Sequence, residues 1–279
     1  MRVIDEGAIK AHADRRFRSE CDYALFEYYR SAKVIAFLER SGVTLAGRVL
    51  DAGCGGGMPL SLAEETRQVV GIDPFNRFGD AGMRLARDRG LRNLHFALAD
   101  GMALPFPAGS FDLVLSHAVI EHVADAPLYL RECARVLAPG GRIYLSTSPY
   151  LSFAGAHLPR LKVPVPLHLL AGRRIAFATF RFIARHAAWT LREPANENSF
   201  IKLARRGEHK HDDLLEKVRV TRLRNQIAAS GLAIVREELH VTATVRRLPA
   251  AVARWVRRTD GVRDIFISNM EYVLERAHG

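Results

Sequence analysis

Nine residues, VLDAGCGGG from Val49 to Gly57, constrain this chain more than any other stretch. Val49 and Leu50 close an apolar run that predicts a buried strand. Asp51 ends the run, and Gly53, Gly55, Gly56 and Gly57 follow within a few positions. Glycine has no Cβ, so its backbone can turn tightly and approach a bound molecule closely. Residues 59–67 predict a helix. Strand, glycine turn and helix N-terminus together make a cradle for a nucleotide-like ligand.

The same order then repeats. Gln68–Asp73 predicts a second strand, and Asp73 lies 22 residues beyond Asp51. That spacing puts a carboxylate at the end of the neighbouring strand, where it can accept hydrogen bonds from ribose hydroxyls. A helix is predicted over 79–89, with Met83, Leu85 and Ala86 inward. Asn93–Asp100 is a third strand and Phe111–Ser116 a fourth. A helix over 125–138 ends at Pro139-Gly140-Gly141, and Arg142–Thr147 is a fifth strand. Upstream, residues 19–40 predict a helix with Ala24, Tyr28, Ala32, Ile35, Phe37 and Leu38 on its apolar face. Downstream, a helix over 214–230, a strand over Leu232–His240, a short helix over 249–258 and a final strand over 265–276 complete the pattern. Alternating strands and helices predict a mostly parallel sheet with helices on both faces.

The glycine spacing is D-x-G-x-G-x-G. The dinucleotide fingerprint G-x-G-x-x-G would need glycine at 58, where Met58 stands. The spacing resembles the first motif of the class I S-adenosylmethionine (SAM) methyltransferases. The run AD-x3-LPFP-x3-FDLV, then IEHV, then REC-x-RVLAPGG is more specific. With the first motif it resembles the small-molecule and quinone-biosynthesis-like subgroup, over residues 45–149. The resemblance implies a Rossmann-like α/β fold: seven strands, mostly parallel, the last antiparallel, with a basic helical insertion after strand five. It implies an N-terminal helical cover over 1–44, a SAM-binding core over 45–149, an acceptor-side insertion over 150–213 and a return to the sheet over 214–279. It also implies roles. Gly53, Cys54 and Gly55 line the methionine and ribose, with Asp51 beneath. Asp73, followed by Pro74, holds the ribose. Asp100 and Gly101 meet the adenine, with Met102 against the ring. Ser116 and His117 sit near the methionyl end. The product is S-adenosyl-L-homocysteine.

An oxygen acceptor must lose its hydroxyl proton, and histidine is the natural base near neutral pH. His117 and His122 are the candidates, and His157 and His168 lie in the insertion. Some quinone-precursor enzymes of this subgroup carry a metal-binding carboxylate three residues before the Glu-His pair. Here Ala118 stands at that place, beside Glu121 and His122, and no metal is expected.

Charge is uneven along the chain. Residues 1–156 are neutral overall, whereas residues 157–225 hold 15 Lys and Arg against 6 Asp and Glu. Arg174, Arg181 and Arg185 share a stripe of a helix predicted over 173–189. Ala176, Phe180, Ile183 and Ala187 form the opposite face, and Trp189 follows. A basic amphipathic helix suits an anionic membrane surface or a phosphate-bearing acceptor. No RNA-binding module is recognised, so nucleic acid is the weaker partner. The N-terminus has no apolar leader pattern, no run is long enough to span a membrane, and three cysteines without metal spacing suit a reducing compartment. The expectation is a cytoplasmic SAM-dependent methyltransferase, in peripheral contact with a membrane, acting at oxygen on a small or lipid-like acceptor. RNA methylation and a non-catalytic SAM-binding module are the alternatives.

Overall fold

Apolar runs become strands wherever both faces can be covered. The computed structural model describes residues 4–16, 18–76, 79–152, 155, 161–162, 167–191 and 216–277. Its seven strands are β1 (Arg48–Ala52), β2 (Gln68–Asp73), β3 (Leu94–Leu98), β4 (Phe111–His117), β5 (Leu137–Thr147), β6 (Leu232–Val241) and β7 (Ile267–Arg276). They form one sheet in the order β3-β2-β1-β4-β5-β7-β6, mostly parallel with one antiparallel pair. β1 pairs in parallel with β2 on one side and β4 on the other. Strand order reverses between β1 and β4, and ligands of open α/β sheets bind at the carboxyl ends beside such a reversal. Asp51, Asp73 and His117 all lie at those ends.

The helices are α1 (Glu6–Arg15), α2 (Glu20–Arg40), α3 (Met58–Ala63), α4 (Gly79–Asp88), α5 (Ala126–Val136), α6 (Leu167–Leu170), α7 (Gly172–His186), α8 (Val220–Ala229), α9 (Ala243–Arg246), α10 (Ala250–Arg258) and α11 (Val262–Phe266). The Ser19 side chain caps α2 by accepting from Asp22 N, and Asp125 caps α5 by accepting from Leu128 N. Phe37, Leu38, Leu60, Leu62, Leu113, Leu115 and Tyr144 belong to one core cluster. The chain divides into two compact units. Unit 1 comprises residues 1–147, 222–238 and 271–279, and unit 2 comprises residues 148–221 and 239–270.

Four expectations are corrected. The helix predicted over 59–67 stops at Ala63, because the chain turns so that Arg67 N donates to Gly47 O on the way into β2. The helix predicted to 138 stops at Val136. β5 then starts at Leu137, opposite Phe111, and a register shift between Phe111 and Leu113 accommodates the Pro-Gly-Gly stretch, with Gly140 at φ +75°. Met83 is exposed, because the inward stripe of α4 runs through Ala81, Gly82 and Ala86 and misses it. The helix predicted over 214–230 starts only at Val220, whose N–H donates to Asp264 Oδ1, and residues 216–219 are not helical; residues 214–215, and His157, lie outside the described residues.

Candidate active site

Everything in this site belongs to unit 1. β1 carries Asp51 to its carboxyl end, where the side chain is only 2% exposed. The glycine turn follows, with Gly53 at φ +86° and Gly55 at φ +60°, conformations that side chains with a Cβ rarely adopt. Gly57 is needed for a different reason. A Cβ there would collide with the Ala24 carbonyl oxygen and would lie 2.5 Å from Glu27 Cβ. The turn therefore packs directly beneath α2. Tyr23 of α2 faces Gly55, its ring edge 4.0 Å from where a Cβ would stand.

Buried charge is concentrated here. Asp51 is pushed up to about 8, chiefly by burial and then by the carboxylates of Glu27 and Asp73. Its Oδ2 is buried without a hydrogen-bond partner. An orphaned buried acceptor of this kind suits a ligand that brings a donor or a positive charge. Asp73 is also buried, and its Oδ1 accepts from Phe75 N at 3.0 Å, which shapes the turn through the exposed Pro74. Burial raises the Cys54 thiol well above its ordinary range, so Cys54 is a neutral wall of the pocket.

Asp100 lies two residues beyond β3 and is exposed. Its Oδ1 accepts from Met102 N at 2.8 Å. Gly101 is required by Tyr129 of α5, whose ring would lie 2.6 Å from a Cβ. The same Tyr129 donates to Ser116 Oγ at 2.8 Å. Ser116 is fully buried and engaged by that bond. Tyr129 thus braces both the Asp100–Met102 turn and the end of β4.

At the end of β4 the backbone is strained: Ala118 has φ +56°, and its N–H donates to Ser146 O at 2.8 Å. The strained position follows directly on His117. His117 Nδ1 lies 3.2 Å from Ser146 Oγ and 3.4 Å from Tyr144 Oη, and the His117 and Tyr144 rings stack. Tyr144 Oη donates to Glu271 Oε1 at 2.8 Å. Burial, and secondarily the Arg30 guanidinium, hold His117 well below the usual imidazole range. It is therefore a neutral imidazole at physiological pH. Glu121 is buried, and its Oε2 accepts from Thr147 Oγ1 at 2.9 Å. Burial raises its carboxyl pKa. Glu121 and His122 form a short 3-10 turn, and the exposed Ala118 offers no third metal ligand. His168 is buried in unit 2 against Tyr150, their ring centroids 6.0 Å apart.

Sequence reasoning assigned α2 to covering the site but missed its charges. Glu27 is buried and pairs with Arg30 at 2.6 Å. A charged pair among the helix's apolar positions was the available signal. Tyr28 is held by Glu64 at 2.9 Å and lies under Arg89, and Tyr29 stacks on His12. Both are packing residues.

Residues 50–145 match the family model described as a methyltransferase domain, which is about a third of the chain. The uncharacterized methyltransferase YcgJ of Bacillus subtilis is 31% identical over 151 residues, covering 50% of this chain and 60% of that protein. A ubiquinone biosynthesis O-methyltransferase of Sodalis glossinidius is 32% identical over 143 residues, covering 49% of this chain and 55% of that protein. The chain thus spans less than two thirds of the length of either relative. Among solved structures, an S-adenosylmethionine-dependent methyltransferase from Mesorhizobium loti superposes with a TM-score of 0.52 at 20% identity, covering 86% of this chain and 96% of that one. The [4+2]-cyclase SpnF superposes equally well, with a TM-score of 0.52 at 18% identity, covering 89% of this chain and 81% of that one. At such identities the likeness is one of fold, and the reaction must be argued from the site.

Proposed function

We propose that this chain, whose residues 50–145 form a methyltransferase domain, transfers the methyl group of SAM to an oxygen of a small or amphipathic acceptor. The observation that carries the reading is the orphaned, buried Oδ2 of Asp51 beside the glycine turn, with Asp73 at the neighbouring strand end. SAM supplies an electrophilic methyl on a positively charged sulfur. Burial favours the protonated form of Asp51 when no cation is near, and a cationic ligand would favour its carboxylate, while Asp73 can accept from hydroxyls. Cys54, Gly53 and Gly55 let the backbone close on the ligand. Asp100 and Met102 receive the adenine end. Glu27 and Arg30 present opposite charges to the methionyl end, which carries an amine and a carboxylate.

His117 takes the acceptor proton. His117 Nδ1 faces Ser146 Oγ and Tyr144 Oη, and Tyr144 donates onward to Glu271, so we assign the Nδ1–H tautomer, which leaves the Nε2 lone pair for the acceptor. Ser146 and Tyr144 are then the positioning residues for that tautomer. SAM, when bound, would supply the methyl that the acceptor oxygen takes, leaving S-adenosyl-L-homocysteine, and His117 would hold the proton that the acceptor hydroxyl gives up. Orientation of the two reactants supplies much of the rate.

The name of the Sodalis relative supports a phenolic, quinone-type acceptor. The reading places the chain in the cytoplasm, on its unpaired cysteines, with the basic segment in peripheral membrane contact. Separately, no described helix is long and apolar enough to cross a membrane. The test is transfer of labelled methyl from SAM to phenolic and catecholic acceptors, with and without an alkyl tail, beside an amine of similar shape. O-methyl product from the tailed phenol supports the reading. Methylation of the amine alone would overturn the oxygen assignment.

A further inference from the structure

Burial in unit 2 runs against the ordinary rule for aromatic residues. The chain has two tryptophans, and both lie in this unit at exposed positions, Trp189 at 75% and Trp255 at 57%. Trp189 follows α7. One side of that helix is satisfied: Phe177, Phe180 and Ala184 are buried with Leu191 in a small core. The other side exposes Ile175 and Phe182, at 60% and 64%. Ile175 and Phe182 lie seven residues apart on α7, so they share one stripe, and Trp189 follows in the 3-10 turn Ala188–Thr190 beyond the helix end. Arginines border it. Ala178, Arg181, Phe182, Arg185 and His186 line a shallow depression of about 220 Å³.

α10 repeats the combination. Val256 is buried, while Trp255 is exposed between Arg254 and Arg258. Just before it, Leu248 is exposed beside Arg246 and Arg247. Neither α7 nor the stretch from Val241 to Thr259 contains an acidic residue. Two separate elements of one unit thus pair exposed apolar side chains with cations in their own sequence, the exposed Asp260 following directly on the second stretch.

From this pairing we infer that unit 2 docks on an anionic phospholipid bilayer, through Ile175 and Phe182 of α7, Trp189 just beyond it, and the Trp255 helix. Tryptophan rings settle at headgroup depth, and arginine heads remain with the phosphates while their stems lie along apolar surface. The aliphatic members decide between the candidate anions. Ile175, Leu170 and Leu248 have no ring face for a base to stack on, so a nucleic acid would leave them in water. A hydrocarbon interface covers them. This inference does not depend on methyl transfer: a failure to bind SAM would leave it standing, and a failure on vesicles would leave the cofactor site untouched.

Because the chain has only these two tryptophans, its own fluorescence is the probe. The 279-residue chain is mixed with vesicles of pure phosphatidylcholine, or of phosphatidylcholine with phosphatidylglycerol. A blue shift and quenching by brominated acyl chains are expected on the anionic vesicles only. The shift should persist in both Trp189→Phe and Trp255→Phe. Replacing Arg174, Arg181 and Arg185 together by Gln should weaken vesicle binding about fivefold per arginine, on the order of a hundredfold in all. Unchanged thermal unfolding of that variant shows that it is folded. No shift on anionic vesicles, equal binding to neutral ones, or tighter binding to single-stranded RNA in the same buffer overturns the proposal. A shift carried by one tryptophan alone overturns the two-element surface.

Discussion

Unit 1 hides charge and unit 2 displays apolar rings. The contrast is between the two candidate sites, since unit 2 also buries Arg263 and Asp264 and unit 1 also exposes Phe75. In unit 1, Glu27, Asp51 and Asp73 are buried close enough to raise the Asp51 carboxyl, and Asp51 keeps an unsatisfied oxygen. In unit 2, Phe182, Trp189 and Trp255 stand in solvent among arginines. The buried carboxylates cost stability that a bound cation with hydroxyl donors can return. The exposed rings forgo burial that an apolar surface can supply. Departures from the burial rule therefore mark both sites, and their signs indicate what each one receives.

The largest effect should come from Asp51. Its folded pKa of about 8 exceeds the unfolded value near 3.9, so the protonated form is the one the fold favours. The stability it contributes is complete below about pH 4 and is lost as pH rises through about 8. Without cofactor, urea denaturation should show a loss on the order of 4 kcal/mol between pH 5 and 9 from this group. Asp51→Asn should remove that slope and should also weaken SAM binding. A slope unchanged in the variant would place the titration elsewhere and break the contrast between the units.

His117 comes next. His117→Ala should lower kcat by about 10²- to 10⁴-fold, the range of a lost general base, with SAM affinity nearly kept. Tyr144→Phe should cost roughly tenfold and alter the acid limb of the pH profile, since it removes one of the two hydroxyls that face His117 Nδ1. A variant with a lower rate but an unaltered profile would make Tyr144 a packing residue only.

Smaller effects sharpen the cofactor half. Asp73→Ala should weaken SAM by about 1–3 kcal/mol in calorimetry, the scale of leaving a polar ligand group unpaired. Asp100→Ala should cost less, because Asp100 is exposed and water can take its place. The smallest expected effect is none: Arg174, Arg181 and Arg185, all in unit 2, should leave SAM affinity as it is when replaced. A loss of SAM binding in that variant would show that the two units are not independent.

Much of unit 1 was legible from residue patterns. β1, β2 and β4 were placed within a residue, because strands buried on both faces read as continuous apolar runs ended by a polar residue or a turn. The start of β5 was not, since Leu137-Ala-Pro-Gly-Gly reads as a helix stop and pairs with Phe111 only through a tertiary register shift. Asp51, Asp73 and the glycines were legible through their spacing. Glu27, Arg30, Tyr129 and Tyr144 were not, because they come from α2, α5 and β5 and meet the site only in three dimensions. In unit 2 the arginine stripe was visible at once. The expected separation of faces was cleaner than the observed one, since Ile175 and Phe182 project among the arginines.

The most direct test of the central claim compares two ligands in thermal unfolding. S-adenosyl-L-homocysteine at about a hundred times its Kd should stabilise the native state by about 2.7 kcal/mol. For a chain of this size that is a rise in Tm of roughly 5–10 °C, and NAD at the same concentration should give none. A rise with NAD and none with S-adenosyl-L-homocysteine would contradict the account.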